Sequence, residues 1–253
     1  MKTNALSFFI LVVSIMPTFA YTQKIQVVTE DLAPYNYVVN NEIVGSNTRL
    51  VKYLLASQAL DYTINAYPWA RSYQIALKKK NVLIYTINRT PAREAKFHWI
   101  GRFPLTTEIA FYRLKSPLLI NTDFTRLKEL RVGTQINTAN DQFLVQHDFK
   151  HISRVSHIKQ TIGMLLLGRV DLIIGSKEQI EQELIASGHP LSTVEYVAPA
   201  FMSEPSLAMS KQTPIALVER LRTAYQQLLA HDVCHIMQIP AANCKKSSAL
   251  PTQ

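Results

Sequence analysis

Between Tyr67 and Arg102 the chain reads YPWARSYQIALKKKNVLIYTINRTPAREAKFHWIGR, with Trp69, Arg71, Arg89, Arg93 and Trp99 close together and only Glu94 as a carboxylate. An arginine presents a planar fork of donors that suits a carboxylate or phosphate, and an indole presents a flat apolar wall. Residues of these types in one strand-and-turn region point to a pocket for a small anionic molecule rather than to a catalytic machine. The sequence contains no H-E-x-x-H, no G-x-S-x-G, no P-loop and no dinucleotide fingerprint. Its seven histidines are scattered without ligand spacing, so no metal or other cofactor is expected.

The elements that must position these residues follow an alternating pattern. Residues 25–29 (IQVVT) read as a buried strand, followed by a Pro-containing loop over 32–37 that carries Tyr35. Asn40-Asn41-Glu42 marks a turn. Gly45 introduces a helix with Leu50, Val51, Leu54 and Leu55 on one face. A strand over 62–66 leads to a helix through Leu77, whose end suits the cations of Lys78-Lys79-Lys80, and then to a strand over 82–87. The pattern repeats with strands over 130–134 and 171–174, and with helices starting at Asn137-Thr138, over 157–167 and over 176–186. Short strands over 195–197 and 207–209 precede a helix opened by Pro214, with Ile215, Val218, Leu221, Tyr225 and Leu228 at helical spacing.

Alternation of this kind predicts an α/β protein of two lobes, each a mixed sheet flanked by helices, joined by two hinge strands. Lobe one is expected over 21–111 and 207–245, with the last helix returning to it, and lobe two over 112–206. A flexible tail is expected over 246–253. Ligands of such sheets sit beyond the carboxyl ends of strands, where the loops over 30–37 and 88–93 fall.

The first twenty residues read as an export signal. Lys2 is followed by an apolar core over 5–16 and a small-x-small site at Thr18-Phe19-Ala20. An uncleaved anchor is the alternative, although the core is shorter than the roughly 20 apolar residues of a membrane span. The reading is therefore a soluble exported protein beginning near Tyr21, in which a net charge of +9 for the full sequence favours anionic solutes or an anionic envelope surface over nucleic acid. Two cysteines, Cys234 and Cys244, permit one disulfide in an oxidising compartment. A metal site with His235 is the weaker alternative.

On three motifs the chain resembles extracellular solute-binding protein family 3, the periplasmic amino-acid-binding type, over nearly all of its length after the signal. Asn88-Arg89-Thr90-Pro91-Ala92-Arg93 resembles the family's T-x-T-x-x-R turn. The resemblance implies that Arg93 grips a ligand carboxylate, with Asn88 and Thr90 as hydrogen-bonding neighbours. Residues 132–138 (VGTQINT) resemble V-G-V-Q-x-G-T, which implies that Thr138 meets the same carboxylate at a helix start. Residues 168–174 (GRVDLII) resemble G-x-V-D-A-x-I. Tyr35 falls where an aromatic covers the ligand, and Trp69, with Arg71 beside it, near another pocket wall; Trp99 is assigned to packing.

Two departures accompany the likeness. Ser176 stands where the family places an aspartate for the ligand's ammonium group, and residues 45–49 read GSNTR in place of G-F-D-V-D. Plain roles compete at several positions, since Thr138 and Ser176 suit helix N-caps and Arg71 and Arg89 suit solvated surface. The resemblance implies the periplasmic-binding-protein-like (type II) fold and a monomer. It also implies a small anionic or zwitterionic solute, and an ABC permease or a membrane sensor as partner. A cleft enzyme of the same fold, similar to cyclohexadienyl dehydratase and using Glu30, Asp31 or Glu94, is one alternative. An envelope interaction protein without ligand is another.

Overall fold

The computed structural model describes residues 24–117, 123–230, 233–240 and Cys244. The expected export signal (1–20) and tail (246–253) lie outside the described residues.

The first lobe opens with β1 (Ile25–Thr29), followed by a hairpin of β2 (Tyr37–Val39) and β3 (Glu42–Val44). Its turn residues Asn40 and Asn41 both take left-handed backbone, φ 48° and 66°, the geometry a two-residue hairpin turn requires. Then come α1 (Ser46–Ser57), β4 (Tyr62–Ala66), α2 (Trp69–Lys78), β5 (Val82–Asn88), α3 (Pro91–Glu94) and β6 (Phe97–Arg102). The second lobe begins with β7 (Thr107–Leu114), α4 (Phe124–Leu127), β8 (Arg131–Gln135), α5 (Ala139–Gln146) and β9 (His151–Val155). It continues through α6 (Ile158–Leu166), β10 (Leu172–Ser176), α7 (Lys177–Ala186) and β11 (Val194–Ser203). The chain returns to the first lobe as β12 (Pro205–Ser210), α8 (Ile215–Ala230) and α9 (Val233–Met237).

Each lobe is built on a five-stranded mixed sheet, in the orders β4-β1-β5-β12-β6 and β11-β7-β10-β8-β9. The strands that feed helices (β1, β4 and β5; β8, β9 and β10) run parallel, while β12 and β7 run antiparallel to them. Both faces of each sheet are covered, as alternation of side chains requires. In β5, Leu83 and Tyr85 join α1, α8 and α9 in one core, and Val82, Ile84 and Ile87 join α2 in another. In the second lobe Phe111, Leu172 and Ile174 face one core and Ala110, Tyr112 and Ile173 the other.

The lobe boundaries differ from the expected 111/112 and 206/207. All of β7 pairs within the second sheet, against β10 and β11, and all of β12 pairs within the first, against β5 and β6. The chain therefore crosses over residues 103–106 and at Glu204, and the two crossings touch where Phe103 N–H donates to the Pro205 carbonyl at 2.8 Å. Edge strand β9 was not expected, because its sequence HISRV is polar and only partly buried. Cys234 and Cys244 form a disulfide that ties Cys244 to α9, and this removes both thiols from the alternative metal site. No helix among the described residues is long and apolar enough to cross a membrane.

Candidate functional site

A cavity of about 90 Å³ lies between the lobes, beyond the carboxyl ends of β1 and β5 on one side and of β8 and β10 on the other. Its volume is about three fifths of the roughly 150 Å³ of an engineered cavity that takes up benzene, so as it stands it admits only a guest of a few heavy atoms. Arg93 lines the cavity from the first lobe. The turn after β5 becomes α3, with Pro91 at its first position, where a proline's missing N–H costs nothing. This carries Arg93 inward until the residue is 1% exposed.

The guanidinium lies over the rings of Trp69 and Tyr73, 5.3 and 5.1 Å from their centroids. Nη1 donates to the Asn88 carbonyl at 3.0 Å and Nη2 to the Asn137 carbonyl of the second lobe at 2.7 Å. Nε is buried and has no hydrogen-bond partner. A buried donor left unpaired costs the full loss of its hydration, and this one is closed off from the cavity, so an acceptor reaches it only if the side chain shifts. Burial pushes the Arg93 pKa down, while Tyr73 and, to a lesser extent, Glu30 act in the opposite direction.

Glu30, at the end of β1, shares the cavity. Its carboxylate accepts from Gln135 Nε2 of the second lobe at 2.9 Å. Burial raises its pKa from the usual 4.5 to about 7, against the lowering effects of the Gln135 bond and the Arg93 charge. Of the three carboxylates considered for a cleft enzyme, Glu30 alone reaches the cavity. Asp31 is exposed, and Glu94 accepts both Nε and Nη2 of Arg89 on the surface.

The N-termini of α5 and α7 point their first turns into the same space. Thr138 and Ser176 line it while capping these helices, accepting from the backbone N–H of Asp141 and Gln179 at 3.2 Å each. Thr138 also donates to the Gln135 carbonyl at 2.8 Å. The capping and lining roles thus coincide, and two positive helix ends flank the cavity. Tyr35 lines it from the loop after β1, facing Thr107 and Ser176, and burial raises its pKa. Asn88 lines it too, its Oδ1 accepting from Ser203 Oγ at 2.8 Å.

Two expected positions lie elsewhere. Arg71 is exposed and stacks over Tyr67 at 4.4 Å. Trp69, Ser72, Tyr73 and Ala76 form the buried face of α2, and a residue two positions after Trp69 lies about 200° around a helix of 3.6 residues per turn. Thr90 is absent from the cavity wall and instead donates to Gln142 Oε1 of the second lobe at 3.1 Å. Trp99 packs in the α2 core as expected, its Nε1 donating to the Glu94 carbonyl.

Sequence reasoning missed Gln135 and Thr86 as cavity residues. The register of β12 passes from Ile87 to Tyr85, leaving Thr86 unpaired in a bulge at φ 60°. A β-branched residue there is strained, and the bulge turns it into the cavity wall. Thr86 Oγ1 donates to Asn36 Oδ1 at 2.6 Å and accepts from Asn47 Nδ2 at 3.0 Å. Among the described residues no group of His, Cys, Asp and Glu could hold a metal ion.

No family model matches the sequence, and no curated protein does. Solved structures with the same fold are numerous. A histidine kinase sensor domain with similarity to periplasmic binding proteins superposes with a TM-score of 0.76 at 12% identity, covering 85% of this chain and 94% of its own. The holo form of ArgBP from T. maritima gives 0.71 at 16% identity, over 85% and 94% of the two chains. The arginine-, lysine-, histidine-binding protein ArtJ from Geobacillus stearothermophilus gives 0.72 at 17% identity, again over 85% and 94%. The chain thus has the two-lobed periplasmic-binding-protein-like fold, with mixed sheets flanked by helices.

Proposed function

We propose that this protein is an exported, periplasmic member of solute-binding family 3. It holds a small carboxylate-bearing solute, anionic or zwitterionic, between its lobes. The observation that carries the reading is Arg93, buried at the cavity wall with its Nε unpaired and flanked by the N-termini of α5 and α7. Fixed donors converging on one small space favour an anion. Glu30 supplies an acceptor for an ammonium or hydroxyl group of the same guest, from the first lobe rather than from the position of Ser176. The loaded form then engages a membrane partner, either an ABC permease or a sensor.

A thermal-shift screen of the purified protein against amino acids and other small carboxylates tests this reading. A true ligand at a hundredfold excess over its dissociation constant adds about 2.7 kcal/mol to stability. Arg93→Met keeps much of the buried stem and removes the charged fork. A lost hydrogen bond to a charged group, worth about 1.5–3 kcal/mol, should weaken binding roughly 10- to 100-fold. Unchanged affinity in that variant, or no response across the panel, would overturn the reading.

Glu30 favours a second reading. A buried carboxyl that titrates near pH 7 beside a guanidinium has the attributes of a general acid or base. Product formation from a stabilising compound, lost in Glu30→Gln, would establish the cleft enzyme instead.

A further inference from the structure

The second lobe offers one carbonyl oxygen to two donors of the first. Trp69 Nε1 and Arg93 Nη2 each donate to the Asn137 carbonyl at 2.7 Å. Both bonds are short, and the second is charge-assisted. Asn137 sits in the turn between β8 and α5 with φ 62°, a left-handed conformation open to glycine and asparagine and closed to β-branched residues. This turn is rigidly held. The Asn137 N–H donates to Asp141 Oδ2 at 2.9 Å, and Arg154 Nε donates to the other oxygen of that carboxylate at 2.8 Å. Residue 137 is itself exposed, so its contribution runs through its backbone.

Two more direct bonds join the lobes around this point, Gln135 Nε2 to Glu30 Oε2 at 2.9 Å and Thr90 Oγ1 to Gln142 Oε1 at 3.1 Å. We propose that the left-handed turn at Asn137 is a latch: its carbonyl, gripped by Trp69 and Arg93, lets the protein's own atoms hold the lobes together, so that closure needs no ligand. This holds whatever the cleft binds. Arg93 then serves closure through Nη2, and a ligand adds to a pre-assembled interface instead of creating it.

The test is small-angle X-ray scattering on the full protein, stripped of co-purified small molecules by unfolding in guanidinium and refolding with the disulfide intact. The stripped wild type should show the radius of gyration of the closed structure. Asn137→Gly, which adopts a positive φ freely, should remain as compact. Asn137→Val, which resists that φ, should expand. A wild type already expanded after stripping, or an Asn137→Val protein as compact as the wild type, overturns the latch. Should Asn137→Val fail to fold by circular dichroism, Trp69→Phe decides. It removes the indole N–H and keeps an aromatic ring against Tyr73, so an unexpanded Trp69→Phe overturns the proposal.

Discussion

Glu30 carries the sharpest consequence at the scale of single residues. Its carboxyl is buried and titrates at about 7 instead of 4.5, so between these values the folded protein keeps a proton that the unfolded chain releases. Stability from this group is therefore full below about pH 4.5 and falls as the pH rises through 7. The difference amounts to roughly 3 kcal/mol. Glu30→Gln keeps an acceptor for Gln135 and cannot titrate. Urea unfolding of both proteins at pH 4.5 and pH 8 should show the stability difference between them shifting by that amount in favour of the variant at pH 8; an unchanged difference would refute the assignment. Arg93 and Trp69 were legible in the sequence because one follows a strand end in a recognisable turn and the other begins an amphipathic helix. Arg71 was misread although its angle on that helix was available. The burial of Glu30 was not legible, because it depends on Gln135, 105 positions away.

At the scale of elements, the loop bearing Tyr35 is fixed by its contact with the start of α1. Gly45 precedes that helix at φ 113° and ψ 167°, a region essentially confined to glycine. A Cβ there would lie 2.4 Å from the Tyr35 carbonyl oxygen, and that same oxygen accepts from Asn47 N–H at 2.9 Å. Gly45→Ala should accordingly cost about 1–3 kcal/mol and displace Tyr35 from the cavity. Equilibrium unfolding with urea measures the first effect and ligand titration the second; a variant of wild-type stability would show that the loop yields freely. The hairpin turn, α1 and α8 could be read from the chain because Asn-Asn, Gly45 and the 3.6-residue spacing are local signals. The crossing points could not. Whether β7 belongs to one sheet or the other is decided by pairing with β10 and β11, strands over 50 residues distant in sequence, and the polar edge strand β9 offers no hydrophobic pattern to read.

At the scale of the whole molecule, the two lobes share a sheet plan and, among the described residues, are joined by two crossings, a connection that allows lobes to part as rigid bodies. The latch sets the direction in which binding must run. If the Asn137 carbonyl closes the cleft by itself, a solute can enter only during brief openings, and a guest waits for a motion it does not cause. The observed association rate should then rise with solute concentration and level off at the opening rate. Weakening the latch should lift that plateau and leave apparent affinity nearly unchanged while the empty protein stays mostly closed, since the empty and the loaded closed forms share the same contact. Stopped-flow tryptophan fluorescence can follow this, because Trp69 sits on the latch while Trp99 stays in the α2 core. With whichever carboxylate stabilises the protein as probe, Asn137→Val should raise the plateau and Asn137→Gly should leave it in place. A rate that climbs linearly up to the diffusion-limited range in the wild type would mean that the ligand-free cleft stands open, and that the solute itself draws the lobes together.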